Sequence, residues 1–178
     1  MTTTDPVRTL TAFHEAGHAV AALMRGGSSL LSVSLSDVTH GTGITWHRSH
    51  VWDQPFIAYA GPWAEARYEW GDRPLDDLND DGCTFEDELA GCLFQGGSDD
   101  SVVIDRALGL GSIAAELGLD AGNPDAANQL REIAAARESV WQMELERAWL
   151  AVCAVAPRLV AGETVTNAEV AALLEADS

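Results

Sequence analysis

The first clear pattern along the chain is an apolar stripe within its first 25 residues. Apolar or small residues recur there at steps of three and four, at Leu10, Phe13, Gly17, Val20 and Met24. That spacing places them on one face of an α-helix. Asp5 and Pro6 stand just ahead of the stripe, as a helix cap followed by a proline in the first turn. The pattern predicts an amphipathic helix that begins at Pro6.

Two short segments after this helix have the alternation of strands. Between Leu31 and Asp37 every second residue is apolar and the residues between are serines. Residues 43–47 predict a second strand, and the segment between the two reads as a turn. We expect a small antiparallel sheet whose edge can accept an extended peptide as an added strand.

The rest of the chain predicts helices. The expected spans are Asp53–Trp70, Phe85–Phe94, Ser98–Leu117, a long or once-broken helix from Asn123 to Pro157, and a last helix opened by the capping box Thr166–Glu169. In the first of these, Phe56, Ile57, Ala60, Ala64 and Tyr68 should face inward, and Gly61-Pro62 should kink or interrupt the helix. The small residues Gly61 and Ala64 should let another helix pass closely. Residues 1–178 are therefore predicted as one mainly α domain of the α+β class with a small hairpin or sheet.

Composition narrows the classes of function. The 178 residues are 47% hydrophobic and carry a formal net charge of -18. So acidic a chain repels nucleic acid and anionic membrane surfaces, and we expect neither as a partner. All ten basic residues are Arg, so the Gly-Lys-Ser/Thr of a P-loop is missing from this sequence.

We expect a cytoplasmic protein. The sequence has no apolar run near the ~20 residues that span a bilayer, and no signal peptide is evident at its start. Its three cysteines share no ligand-like spacing, which is typical of reduced thiols in a cytosolic protein.

The segment His14-Glu15-Ala16-Gly17-His18 carries the clearest chemistry. Its two histidines are four apart on the predicted helix and can hold one zinc ion, while Glu15 can act as general base on a metal-bound water. The competing interpretation is a pair of half-buried histidines bonded to backbone carbonyls. The intact motif on a capped helix favours the metal site.

A zinc site of this kind needs a third ligand, and three carboxylates are open to consideration. Glu65 lies on a later predicted helix, as third ligands in such enzymes often do. Asp100 falls on the apolar stripe of its helix with Val103 and Ile104, where a carboxylate needs a partner. Asp99 points toward solvent and can simply complement the helix dipole.

Other polar residues are weaker candidates for function. The loop histidines His40, His47 and His50 lie near the predicted sheet and are more typical of surface residues. Residues Asp77–Glu88 fit a calcium-loop pattern, but Phe85 occupies a position that normally supplies an oxygen, so a solvated acidic loop is the default.

Taken together, these segments resemble the protease domain of FtsH-type zinc metallopeptidases. The similarity covers the zinc helix at His14–His18, then Tyr59–Glu65, Gly97–Asp100, and the closing stretch from Ala156 to Val170, in the family's order. The resemblance implies a helical zincin-like domain with zinc held by His14, His18 and Asp100 and with Glu15 as the base. Glu65 and Asp99 would then lie outside the ligand set, as supporting residues.

The expected function is a stand-alone, ATP-independent zinc endopeptidase acting on polypeptides. Thirteen residues precede His14, so we expect neither the membrane helices nor the ATPase module of the family. The alternative is a zinc-binding regulatory or interaction module that keeps the fold without turnover; a calcium-responsive protein is a weaker third. Homo-oligomerisation, a separate ATPase partner and the second oxyanion donor (Tyr59, Tyr68 or a loop histidine) stay open.

Overall fold

The chain is mainly helical, with one small antiparallel sheet. The computed structural model describes residues 5–26, 30–36, 43–95 and 98–176. In chain order the elements are α1 (Pro6–Met24), β1 (Leu30–Leu35), β2 (Gly43–His47), α2 (Gln54–Trp70), α3 (Phe85–Gln95), α4 (Ser98–Leu108), α5 (Leu110–Leu117), α6 (Pro124–Arg147), α7 (Trp149–Val160), β3 (Val165–Thr166) and α8 (Asn167–Ala176). The predicted α+β class with a small antiparallel sheet is confirmed.

Helix α1 is the centre of the core. Its start follows the prediction, because the Asp5 side chain accepts a hydrogen bond from the backbone N–H of Val7. It is buried along most of its length, at Ala12, Phe13, Glu15, Ala16, Gly17, Ala19, Val20, Ala21, Ala22 and Leu23. It packs against α2, α7 and the sheet. A helix buried on several sides gives its polar side chains little access to water, which matters for His14 and His18.

Helices α1 and α2 approach at backbone distance. A Cβ placed on Gly17 would lie 2.2 Å from the carbonyl oxygen of Ala60 and 2.9 Å from the Cβ of Ala64. Only glycine fits this crossing, so the close approach predicted from the small residues of α2 is confirmed. Pro62 does not interrupt α2. The burial of its neighbours Trp63 and Ala64 stabilises the helix by more than the loss of one backbone N–H hydrogen bond costs.

The sheet has the order β2-β1-β3, and both pairings are antiparallel. Val33 of β1 pairs with Thr45 on one side and Val165 on the other. Within the described residues β2 is an edge strand. The third strand, at Val165–Thr166, was not predicted because two residues carry no periodic signal.

Three predicted features of the helices are wrong in detail. The helix expected over 98–117 is two helices, since Gly109 adopts an extended backbone between α4 and α5. Pro157 lies inside α7 instead of ending it, because Val155, Ala156 and Leu159 around it are buried. Tyr68 is 41% exposed, although its ring stacks on Phe13.

The long helical stretch before Pro157 breaks once, at Ala148, as one of the two predicted alternatives required. The final helix carries its capping box, in which Glu169 accepts from the N–H and hydroxyl of Thr166.

Asp37 and His40 lie outside the described residues. None of the described helices combines the length and apolar character needed to cross a bilayer.

Candidate metal centre

Three side chains from α1 and α4 converge on one point. The Nε2 atoms of His14 and His18 are 2.9 Å apart, and Asp100 Oδ2 lies 3.3 Å from the first and 3.5 Å from the second. Ligands of a tetrahedral zinc ion, at metal distances of 2.0–2.1 Å, are separated by about 3.3 Å. The triangle therefore has the dimensions of three corners of a zinc tetrahedron.

The other nitrogen of each imidazole faces a group on α2, a carbonyl for His18 and a carboxylate for His14. His18 Nδ1 is 2.7 Å from the carbonyl oxygen of Ile57, to which it donates. His14 Nδ1 faces Glu65 Oε1 at 3.4 Å, in ion-pair range but without hydrogen-bond alignment. The bond to Ile57 leaves the His18 Nε2 lone pair directed at the convergence point, as metal-binding histidines require.

The site is short of positive charge. Burial alone would lower the pKa of His14, but Asp100 and Glu65 outweigh it and raise that pKa to about 10. Burial would raise the pKa of Asp100, but the two histidines hold it well below its usual range. The group thus attracts a proton or a cation, and the close pair of imidazole nitrogens with a carboxylate is a donor set that suits zinc.

Bare backbone lies directly against the two rings. A Cβ on Gly61 would lie 2.5 Å from His18 Cε1 and Nε2 and 2.8 Å from His14 Nε2. Any side chain at this position would occupy the space of the imidazoles. The sequence suggested only that the small size of Gly61 lets another helix pass closely. The structure shows that the missing side chain also leaves room for the two imidazoles.

Glu15 is buried between α1 and β2. Its Oε2 atom accepts a hydrogen bond of 2.5 Å from Thr45 Oγ1, which also lies 3.2 Å from the Glu15 carbonyl oxygen. A Cβ on Gly43 would lie 2.1 Å from Glu15 Cγ. The carboxylate is thus held by the sheet, and sequence reasoning missed Thr45 because threonine on a strand gives no separate signal.

An open cavity of about 320 Å³ adjoins the convergence point. It is lined by His18, Thr45, His47, Gln54, Ile57, Ala58, Asp100 and Val103. His47, which the sequence grouped with the loop histidines, is the last residue of β2 and lines this cavity. Burial and the proximity of His18 lower its pKa, which favours a neutral ring, and its Nδ1 lies 3.2 Å from Ser49 Oγ.

The remaining predicted residues separate clearly. Asp99 is exposed and Asp100 is the inward carboxylate of α4. Tyr59 is fully buried and donates to Glu138 at 2.9 Å, and Tyr68 stacks on Phe13. Neither tyrosine is among the residues that line the cavity, whereas His47 is.

In the acidic loop, side-chain oxygens of the calcium pattern accept hydrogen bonds from the loop's own backbone. Asn79 Oδ1 accepts from the N–H groups of Asp81 and Cys83, and Asp80 pairs with Arg73. Phe85 is buried and begins α3. Two of the oxygens that the pattern would supply, Asp77 Oδ1 and Asn79 Oδ1, thus already accept hydrogen bonds from backbone N–H groups of the loop.

Comparison with known proteins adds no relative to this description: the chain matches no protein-family model and no curated protein.

Proposed function

We propose that this protein is a zinc-dependent endopeptidase that hydrolyses polypeptides, similar to the protease domain of the FtsH-type metallopeptidases. One observation carries the proposal: His14 and His18 of α1, the helix that also carries Glu15, form a triangle with Asp100 of α4, with edges of 2.9, 3.3 and 3.5 Å. Two histidines with only a structural role would not need a carboxylate such as Asp100, which comes from α4 and points at both rings.

His14, His18 and Asp100 would hold the metal. Three protein ligands leave one position of a tetrahedral ion open, which is typical of catalytic zinc. The metal supplies Lewis-acid chemistry, since it polarises a carbonyl and makes water acidic near neutral pH. Glu65, behind His14, is proposed as a supporting carboxylate and not as a ligand.

Glu15 is proposed as the general base and acid. It takes a proton from the attacking water and returns one to the leaving amine. Thr45 fixes the orientation of the carboxylate through its 2.5 Å hydrogen bond. His47, neutral and lining the cavity, is proposed to donate a hydrogen bond to the developing oxyanion.

The sheet suggests how a polypeptide is held. Strand β2 is the edge of the described sheet, and Thr45 and His47 on it line the cavity. An extended substrate that pairs with β2 would run past the convergence point with its backbone in register. The apolar wall at Ile57, Ala58 and Val103 offers space for a substrate side chain.

The test is cleavage of unfolded casein without ATP, with and without a chelator. Glu15→Gln should retain zinc and lose cleavage, because an amide cannot take the proton. Glu132→Gln on the exposed face of α6 is the matched control and should cleave like the parent. Zinc binding with no cleavage by the parent would instead support the alternative, a zinc-binding regulatory or interaction module without turnover.

A further inference from the structure

A thiol and two carboxylates meet away from the three side chains already described. Glu69 lies at the end of α2, while Glu88 and Cys92 are four residues apart on one face of α3. One ligand atom from each of the three residues lies within 4.8 Å of the other two. The cluster joins two helices that are distant along the sequence from the motif in α1.

The thiol is the part of this cluster that points to a ligand. Cys92 is 8% exposed, forms no disulfide, and its sulfur has no hydrogen-bond partner within the described ranges. Burial and the carboxylates of Glu65, Glu69 and Glu88 raise its pKa to about 12. Without a cation this thiol is therefore neutral, and a metal ion among these three side chains would stabilise its thiolate form.

The carboxylates also lack a counter-charge. Neither Glu69 nor Glu88 has an ion pair with an Arg or His in the part of the chain that the structure describes. Burial and the nearby Glu88 raise the pKa of Glu69. Like-charged groups at this separation share a proton or a cation.

We propose that Glu69, Glu88 and Cys92 bind a second divalent cation of the zinc class, which ties α3 to the end of α2. A thiolate ligand disfavours magnesium and calcium, which take oxygen ligands, and favours zinc and similar transition metals. In a tetrahedral zinc site sulfur and oxygen ligands are about 3.5 Å apart. Glu69 is exposed, so its side chain can turn to close the remaining distance. The thiol proton leaves to solvent as the metal binds.

The position of this site gives it a structural role. Cys92 lies near the end of α3, and α4, which carries Asp100, begins at Ser98. A cation that fixes the end of α3 on α2 restrains the point from which α4 starts. The proposal does not depend on peptidase activity, because it rests on a different set of side chains.

Cobalt is the probe that separates the two sites. The group of His14, His18 and Asp100 contains no sulfur, so only a thiol site gives a thiolate-to-cobalt charge-transfer band in the near ultraviolet. The full chain, stripped of metal and titrated with Co²⁺, should show this band and bind about two equivalents. A variant with His14→Ala and His18→Ala should keep the band and bind about one equivalent.

Substitution of each cysteine assigns the band. Cys92→Ser should abolish it, whereas Cys83→Ser and Cys153→Ser should leave it unchanged. Glu88→Gln should weaken cobalt binding at this site by more than the roughly 10-fold that loss of a supporting residue costs. If Cys92→Ser lost its helical circular dichroism, the cobalt affinity of Glu88→Gln would serve as the test of the proposal. No band in the parent, a band that survives Cys92→Ser in folded protein, or unchanged cobalt affinity in Glu88→Gln would overturn the proposal.

Discussion

Thr45 Oγ1 donates a 2.5 Å hydrogen bond to Glu15 Oε2, so a strand residue fixes the carboxylate that the motif on α1 provides. The two residues are 30 positions apart in the sequence. Hydrogen bonds to charged groups are among the stronger ones in proteins, at about 1.5–3 kcal/mol. The proposed base is therefore oriented by tertiary structure.

Thr45→Val tests this orientation. The substitution keeps the shape of the side chain and removes the donor, so casein cleavage should fall about 10-fold or more while zinc affinity stays within about 2-fold. Thr9→Val removes a hydroxyl that bonds a backbone carbonyl on the exposed side of α1, and it serves as control. Equal cleavage by Thr45→Val and the parent would mean that Thr45 does not position Glu15.

The assignment of Asp100 as third ligand predicts an order of zinc affinities. Asp100→Ala removes a corner of the ligand triangle and should release zinc to a competing chelator. Glu65→Ala removes only the carboxylate behind His14 and should weaken zinc by roughly 10–100-fold. Asp99→Ala, on the exposed side of α4, should retain zinc. Zinc loss from Glu65→Ala or Asp99→Ala with retention by Asp100→Ala would refute the assignment.

Gly61→Ala should disable the site. The added Cβ falls 2.5 Å from His18 Cε1, so the ring must move and zinc affinity should drop more than 100-fold, beyond the range for supporting residues. Gly111→Ala, where no atom lies within 4 Å of the new Cβ, should instead stabilise α5 by roughly 0.5–1 kcal/mol. Competition titration and urea unfolding measure the two effects. Normal zinc binding by Gly61→Ala would show that the contact is not restrictive.

Metal-free protein should lose stability as pH rises. The pKa of His14 is raised in the folded state to about 10 from its ordinary 6.5, so its contribution to the free energy of unfolding is fully present below about 6.5 and is lost toward 10. The zinc-loaded protein should lack this decline over that window, since the metal replaces the proton. Urea unfolding with and without chelator compares the two forms. Parallel pH profiles would contradict the prediction.

Chelation should leave the fold in place. The main core includes fully buried Trp63, Tyr59, Val152 and Leu159, far more apolar packing than a zinc finger has. Metal removal should lower the melting temperature moderately and keep the helical circular dichroism at 25 °C. Loss of the helical signal on chelation at that temperature would show that the metal holds the whole chain together.

Local signals in the sequence were enough for several elements. Asp5-Pro6 and Asn123-Pro124 mark helix starts that the structure contains, and the Thr166–Glu169 capping box forms. Helical periodicity also distinguished Asp100 from Asp99. Adjacent residues on a helix point in directions about 100° apart, so only one of the two can lie on the buried stripe. These features depend only on contacts within a few residues.

Other features depend on contacts that the sequence does not display. Pro62 and Pro157 stay inside helices because buried neighbours outweigh one lost hydrogen bond. The helix breaks at Ala148, where the sequence has no Gly or Pro that would predict a break. Thr45 and His47 reach the cavity only through the register of β2, and pairing register is set by the partner strand.

The close contact between the Gly61 backbone and the two imidazoles has a thermodynamic consequence. Bare backbone against both rings, with the Ile57 carbonyl at one of them, leaves His18 little rotamer freedom before any ion arrives. Side chains that are already ordered lose little conformational entropy on binding, and roughly 0.5–1.5 kcal/mol is saved for each one. The entropy was lost when α1 and α2 packed together. Folding thus prepares the imidazoles, and the entering ion retains more of its binding free energy as affinity.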